Sequence, residues 1–204
     1  MAETVASLPR TALGDVTLIC AETSAEVSQI RAMRQQAYER RSGLVLDDDG
    51  ATDDRAYLFA LCRGDVVLAT GRVLPLPDDR AGMAQFHHPA ARDHGMQTEA
   101  GRVAVASGGS PRLILATLGL GACWMAEHTR HETFIAFCRP RLARLYGYVG
   151  ARDLGVEAVK AGTDVGYRFV AGRFDVAAGR ALAMLGLPSA SGYVRPPTPL
   201  AGAA

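Results

Sequence analysis

Lysine is nearly missing from this chain. Lys160 is the only one in 204 residues, so arginine carries almost all of the positive charge. That bias reads first as genome composition and second as a supply of planar forks that suit anions. Net charge is also close to nothing, at +1, so no overall field recommends nucleic acid or a membrane surface as partner. No Cys-x-x-Cys pair occurs. Cys20, Cys62, Cys123 and Cys138 each lie in an apolar run, as buried free thiols in a reducing compartment do. No run approaches the ~18 apolar residues that a membrane span needs. Met1 to Arg10 lacks a basic stretch followed by an apolar core, so no signal peptide is expected. His87-His88 and His128-x-x-His131 lack third and fourth ligands at zinc-like spacing, and no metal site is expected. These absences point to a soluble, cytoplasmic protein without a bound metal.

What is present is a chain that is 49% hydrophobic and 21% charged, enough for one domain with a substantial core. Residues 1–14 read as a flexible arm, 15–187 as the domain, and 188–204 as a Pro/Ala/Gly-rich tail with little order of its own. Val16 to Ala21 is a first strand. Thr23-Ser24-Ala25-Glu26 is a helix-start signal with Thr23 or Ser24 as cap, and the helix runs to about Arg41. An acidic stretch with Asp47, Asp48, Asp49, Asp53 and Asp54 follows; five carboxylates that close repel one another. Ala56 to Cys62 and Val66 to Leu74 form a hairpin about Arg63-Gly64-Asp65. Residues 78–98 read as a long irregular connection.

The central stretch is Glu99 to Trp124. Arg102 to Ala106 suit a strand, Ser107-Gly108-Gly109-Ser110 a turn, and Pro111 the first position of a helix that is apolar nearly all round and should be buried. Several free backbone N–H groups are expected at that turn, as a ready anion site. Then come a strand at Thr133 to Phe137, a helix at Pro140 to Tyr148, weaker strands at Val156 to Ala161 and Tyr167 to Ala171, and an Ala-rich helix at Asp175 to Leu185. The order implies an α+β sandwich about a mixed, mainly antiparallel sheet.

Three ordered patterns resemble the GCN5-related N-acetyltransferases, and within them the acyl-homoserine lactone synthases and bacterial N-acyl amino acid synthases. Arg34-x-x-x-Tyr38 resembles that branch's Arg-x-x-x-Phe. Gly71-Arg72-Val73-Leu74-Pro75 is similar to its Arg-Leu-Leu-Pro. Glu99-Ala100-Gly101-Arg102-Val103-Ala104-Val105 resembles its Glu-x-Ser-Arg-Phe-x-Val. The run from Arg139 to Gly150 looks like the helix after the fifth strand. The chain departs from the general phosphate loop, Arg/Gln-x-x-Gly-x-Gly/Ala, at Ala106 to Arg112. Leu44 lies near the place of a tryptophan in the lactone synthases, and their aspartates do not align uniquely with Asp48, Asp49, Asp53 and Asp54.

The resemblance implies an N-acyltransferase that moves an acyl group from a thioester, on coenzyme A or an acyl carrier protein's phosphopantetheine, to the amine of a small acceptor. Glu99 is then the candidate general base, acting directly or through water, or else a partner of Arg72 or Arg102 that only orders the site. Tyr146 is the candidate acid for the leaving thiolate, or a core aromatic. Arg34, Tyr38, Asp53, Asp54, Arg72 and Arg102 would face the acceptor. Val103, Val105, Ser107, Gly108, Gly109 and Arg112 would face the donor, with Arg112 adding a charge-assisted contact. An aminoacyl-tRNA donor on the same fold, or a non-catalytic binding protein, are the competing readings.

Overall fold

The computed structural model describes residues 14–42, 50–76, 96–159 and 165–198. Asp47, Asp48, Asp49, Leu44, His87, His88, His94 and Lys160 lie outside them. Seven strands, β1 (Thr17–Cys20), β2 (Tyr57–Arg63), β3 (Val66–Pro75), β4 (Thr98–Val105), β5 (Thr133–Cys138), β6 (Arg152–Val159) and β7 (Gly166–Arg173), form one sheet. Its order is β1-β2-β3-β4-β5-β7-β6. All pairs are antiparallel except β4 with β5. The helices are α1 (Ser24–Ser42), α2 (Gly50–Asp53), α3 (Pro111–His128), α4 (Pro140–Tyr148) and α5 (Phe174–Leu185). The expected α+β sandwich is what forms.

Local chemistry explains most boundaries. Thr23 Oγ1 accepts from the Glu26 N–H, and the Glu26 carboxylate accepts from the Thr23 and Glu22 N–H groups, a reciprocal cap that starts α1. Gly64 at φ +54° closes the β2–β3 hairpin. Pro111 occupies the first turn of α3, where a missing N–H costs nothing, and Gly186 at φ +67° ends α5. As its composition implied, α3 is buried on nearly every side, with Ile114, Leu120, Trp124 and Met125 all in the main core. It crosses α5 at Gly119, where a Cβ would collide with that of Ala181, so the crossing demands glycine.

Two expectations change. The central strand begins at Thr98 rather than Arg102, which brings Glu99 inside the sheet. The tail beyond Leu187 is not loose over its described part. Tyr193 O accepts from Leu18 N at 2.6 Å and Arg195 N donates to Leu18 O at 2.8 Å, so the chain lies along β1 as a short parallel strap. Arg195 Nη1 reaches Glu26 at 2.7 Å, and Thr198 bonds Glu22. Leu187 and Ala190 complete the core beneath. The strap covers the outer edge of the sheet, which otherwise offers unpaired backbone to other chains.

Deleting residues 188–204 removes both strap hydrogen bonds, at about 1 kcal/mol each. The expected drop in Tm is roughly 4–8 °C. A thermal melt of the truncated chain checks this; a Tm within 1 °C of the full chain refutes the role assigned to the strap.

Candidate active site

The site is built from four elements that carry alternating charge into the interior. Asp53, the last residue of the short α2, has a side chain with no exposure. Arg34 Nη1 from α1 donates to both of its carboxylate oxygens at 3.1 Å, and Arg72 Nη1 from β3 reaches Oδ1 at 3.3 Å. Arg31 Nε, half-exposed, adds a bond at 3.1 Å to Oδ2. The far side of Arg72 faces Glu99 of β4, Nη2 to Oε1, at 3.7 Å. Arg34, Asp53, Arg72 and Glu99 are each at most 5% exposed. Burial pushes the Asp53 carboxyl up, but Arg34, Arg31 and Arg72 outweigh it and hold it below the ordinary carboxylate value. Asp54, in contrast, is exposed and pairs only with Arg31. Of the acidic stretch, therefore, Asp53 joins the buried array and Asp54 stays at its rim.

Strand β4 supplies the opening. Its pairing with β3 shifts register between Thr70 and Arg72, so two residues of β4 oppose Gly71 alone. Arg102 sits in this bulge at φ +51°, a left-handed conformation that costs an arginine on the order of 1–3 kcal/mol. On its other side β4 pairs with β5 only through Thr98, Glu99 and Ala100. Beyond Ala100 the two parallel strands part. Among the described residues no strand pairs with β4 on that side beyond Ala100.

A cleft enclosing about 850 Å³, its open mouth included, fills the gap. Tyr38, Arg102, Val103 and Val105 line it, together with residues sequence reasoning did not single out, notably Phe137 and Tyr167. Cys138, Arg139 and Arg141 also border it. Arg139 and Arg141 stood in the recognised run after the fifth strand, but nothing in the sequence pointed to Tyr167. The Cys138 thiol is pushed up to about 12, chiefly by burial with Asp153 adding and Arg168 opposing, which leaves it a poor nucleophile. Behind β4, against α3 and α5, lies a second, apolar chamber. Gly101, Val103 and Tyr146 line both spaces, so the cleft and the chamber flank the point where the strands part.

Tyr146 is buried at this junction. Burial raises its phenol well above the ordinary value, with Cys138, Tyr38 and Glu99 adding to the shift, so it keeps its proton. Glu99 does not itself line either space. It stands behind Gly101, where a side chain's Cβ would lie 3.6 Å from Glu99 Oε1.

The turn after β4 differs from expectation. Ser110 Oγ accepts from Arg112 N at 3.2 Å, Leu113 N donates to Ser110 O, Gly109 N donates to Ala106 O, and Pro111 has no N–H. The Gly109, Arg112 and Leu113 N–H groups of this turn are thus already engaged. Ser107, Gly108, Gly109 and Arg112 also lie outside the lining of the cleft. Among the described residues no group of three or more His, Cys, Asp or Glu could hold a metal ion. No described helix is long and apolar enough to cross a membrane.

The Asp53 array yields a stability test. Asp53→Asn leaves buried arginine without its counter-charge, and the expected loss is about 3–5 kcal/mol at pH 7. Because folding lowers the Asp53 pKa, its contribution is complete above the unfolded value near 3.9 and fades as pH falls through the folded value. The gap between native protein and variant should therefore close below about pH 4. Denaturant titrations at pH 7 and pH 3 measure it; an equal gap at both rules out the charged pairing as its source.

No protein-family model matches the chain, and no curated protein sequence matches it. Solved structures do. FeeM, an N-acyl amino acid synthase from uncultured soil microbes, superposes with a TM-score of 0.67 at 17% identity, covering 84% of this chain and 98% of its own. The CoA-dependent acyl-homoserine lactone synthase BjaI, solved with SAM and isopentyl-CoA, gives 0.69 at 13% identity, covering 90% of this chain and 94% of its own. An N-acetyltransferase structure from Lactobacillus plantarum gives 0.61 at 14%. Strand order, the parted β4 and β5, and these superpositions agree: this chain has the fold of the GCN5-related N-acetyltransferases.

Proposed function

We propose that this protein is an N-acyltransferase, taking an acyl group from a thioester donor and giving it to the amine of a small, amino-acid-like acceptor. One observation carries the reading: a cleft and an apolar chamber flank the gap between β4 and β5, and Gly101, Val103 and Tyr146 line both. A pantetheine arm fits the cleft, and its amides would complete the unpaired edge of β4. The acyl tail fits the chamber. That space is lined by apolar groups such as Phe59, Val73 and Phe174, so it suits hydrocarbon. An acetyl group alone has no use for it. The two neighbours with acyl-chain chemistry in their names support the same choice.

In this reading the thioester carbonyl sits at the junction, where backbone N–H groups of β4 stabilise the oxyanion that develops. The acceptor enters from the side of the buried charge array. Glu99, held by Arg72, takes a proton from the acceptor's ammonium across Gly101, directly or through one water. The free amine attacks the carbonyl carbon. The carbon–nitrogen bond forms, the carbon–sulfur bond breaks, and Tyr146 protonates the departing thiolate while the attacking nitrogen gives up its second proton, which restores the phenol and leaves a neutral amide and a free thiol. Arg102, aimed by the β4 bulge at the cleft, meets the acceptor's carboxylate. Arg34 and Asp53 hold Arg72, and through it Glu99, in place. The self-capped turn at Ser107 to Arg112 leaves a donor phosphate to the exposed side chain of Arg112 and to Arg139 and Arg141 at the cleft mouth.

Thiol release from acyl-CoA and acyl-pantetheine donors against a panel of amino acids and amines tests the activity. Glu99→Gln should lower kcat by about 10²–10⁴-fold, the usual worth of a general base, with a much smaller change in the donor's KM. Tyr146→Phe should act on the same step, and the Gln variant should lose the acid limb of the pH profile. No release with any donor in the panel sinks the reading. An unaltered kcat in Glu99→Gln removes Glu99 from it.

A further inference from the structure

Two glycines on α3, a turn or less apart, have opposite reasons to be glycine. Gly119 is where α5 packs, and no side chain fits there. Gly121 is different. A Cβ built on it would meet only the Phe59 ring, at 3.6–3.9 Å, which is ordinary van der Waals contact. A methyl group is therefore sterically allowed at 121, and alanine would favour the helix by about 1 kcal/mol over glycine. Local structure gives no reason for the glycine. Its surroundings do: Gly121 and Phe59 both line the apolar chamber.

The sheet register places this pair in the chamber. The chamber opens at Gly101, Val103 and Tyr146, on β4 and α4. Phe59 lies on β2, directly opposite Gly71 of β3. Two strand spacings of about 4.8 Å separate β4 from β2, so the path from the opening to the Phe59 ring is roughly 10 Å. Phe59 is 2% exposed and packs edge-on against Trp124, ring centroids 5.5 Å apart. It is a fixed wall. Thr117 lies between the opening and that wall. Its hydroxyl donates to Leu113 O at 2.7 Å, so it turns only its methyl toward Gly71 and keeps the passage apolar.

We propose that Phe59, seated on Gly121, is the end wall that sets the longest acyl group this protein accepts. The inference rests on the donor reading given above. The absence of a side chain at 121 leaves the last part of the chamber open, and a methyl there would occupy the space of the terminal carbon of the acyl chain. Replacing Phe59 by a smaller side chain would extend the chamber instead. The two changes act in opposite directions on one quantity.

S-alkyl pantetheine thioethers, which cannot react, test this without an acceptor. Binding of a series from methyl to dodecyl is measured by calorimetry on the native protein, Gly121→Ala and Phe59→Leu. Affinity should rise about fourfold per methylene, as apolar burial gives, and then stop at a limit. That limit should move one or two carbons shorter in Gly121→Ala and at least one longer in Phe59→Leu. The alanine variant should melt no lower than the native protein, which separates the effect from loss of fold; Phe59→Leu is chosen over alanine to keep the core filled. The same limit in all three proteins overturns the proposal and leaves the donor reading standing. Binding of the native protein without any dependence on chain length does so too. No binding of any thioether to the native protein overturns both.

Discussion

Everything at the site hangs on Asp53. Its carboxylate lies in the interior and is bound by arginines from two different elements, Arg34 of α1 and Arg72 of β3, while Arg31 closes the outer side. α2, which carries it, is only four residues long and brings almost no apolar surface of its own. Hydrophobic burial therefore does not fix α2 or the end of α1 against the sheet; a desolvated ion cluster does. Such a cluster is a poor source of stability, because taking each charge out of water costs about what the pairing returns. It is a good source of geometry. One buried nitrogen of Arg34 is held by both carboxylate oxygens of Asp53, and a guanidinium between Asp53 and Glu99 fixes the distance between α2 and β4.

That geometry matters because β4 is weak just where it must stay put. It carries a bulge on one side and loses its partner on the other after Ala100. A strand so placed would be expected to shift or fray. The Arg72–Glu99 contact ties its paired half to β3, and α1 covers the same face with Tyr38 above the cleft. On the opposite face α3 closes over β2, β3 and β4 with an almost wholly apolar surface. The charged face holds position and the apolar face supplies free energy. Between them the parted strands leave a passage from polar to apolar surroundings, and Tyr146, a side chain with one polar atom on an apolar ring, stands where the two meet.

Much of this was legible in the sequence, and for identifiable reasons. Helix caps, the Arg63-Gly64-Asp65 hairpin and the buried helix after Pro111 are local features, and local chemistry fixes them. The three ordered patterns found Arg34, Tyr38, Arg72, Glu99 and Arg102, and these residues do converge on one cleft and the ion cluster behind it. The bulge was not legible. Gly101-Arg102 looks like any strand pair with a small residue, and only the register against β3 shows that Arg102 takes the left-handed conformation. Nor was the choice of Asp53 over Asp54, since adjacent carboxylates differ in sequence only by position; the contact with Arg34 of α1 and Arg72 of β3 buries the first and leaves the second exposed. The tail failed for a different reason. Pro196 and Pro197 deny it a regular strand, and composition says no more. Its order comes from a single bridge to Leu18 and from Arg195, whose partner Glu26 is 169 residues away.

The turn before α3 shows how one residue type can point two ways. A glycine-rich turn followed by a helix is a ready anion cradle when its N–H groups are free. Here Ser110 acts as the helix cap, Pro111 contributes no donor, and the Gly109, Arg112 and Leu113 N–H groups are already bonded within the turn. Capping and anion binding compete for the same few hydrogens, and at this terminus capping has them. Arginine is the residue that this chain has in excess, and Arg139 and Arg141 border the cleft.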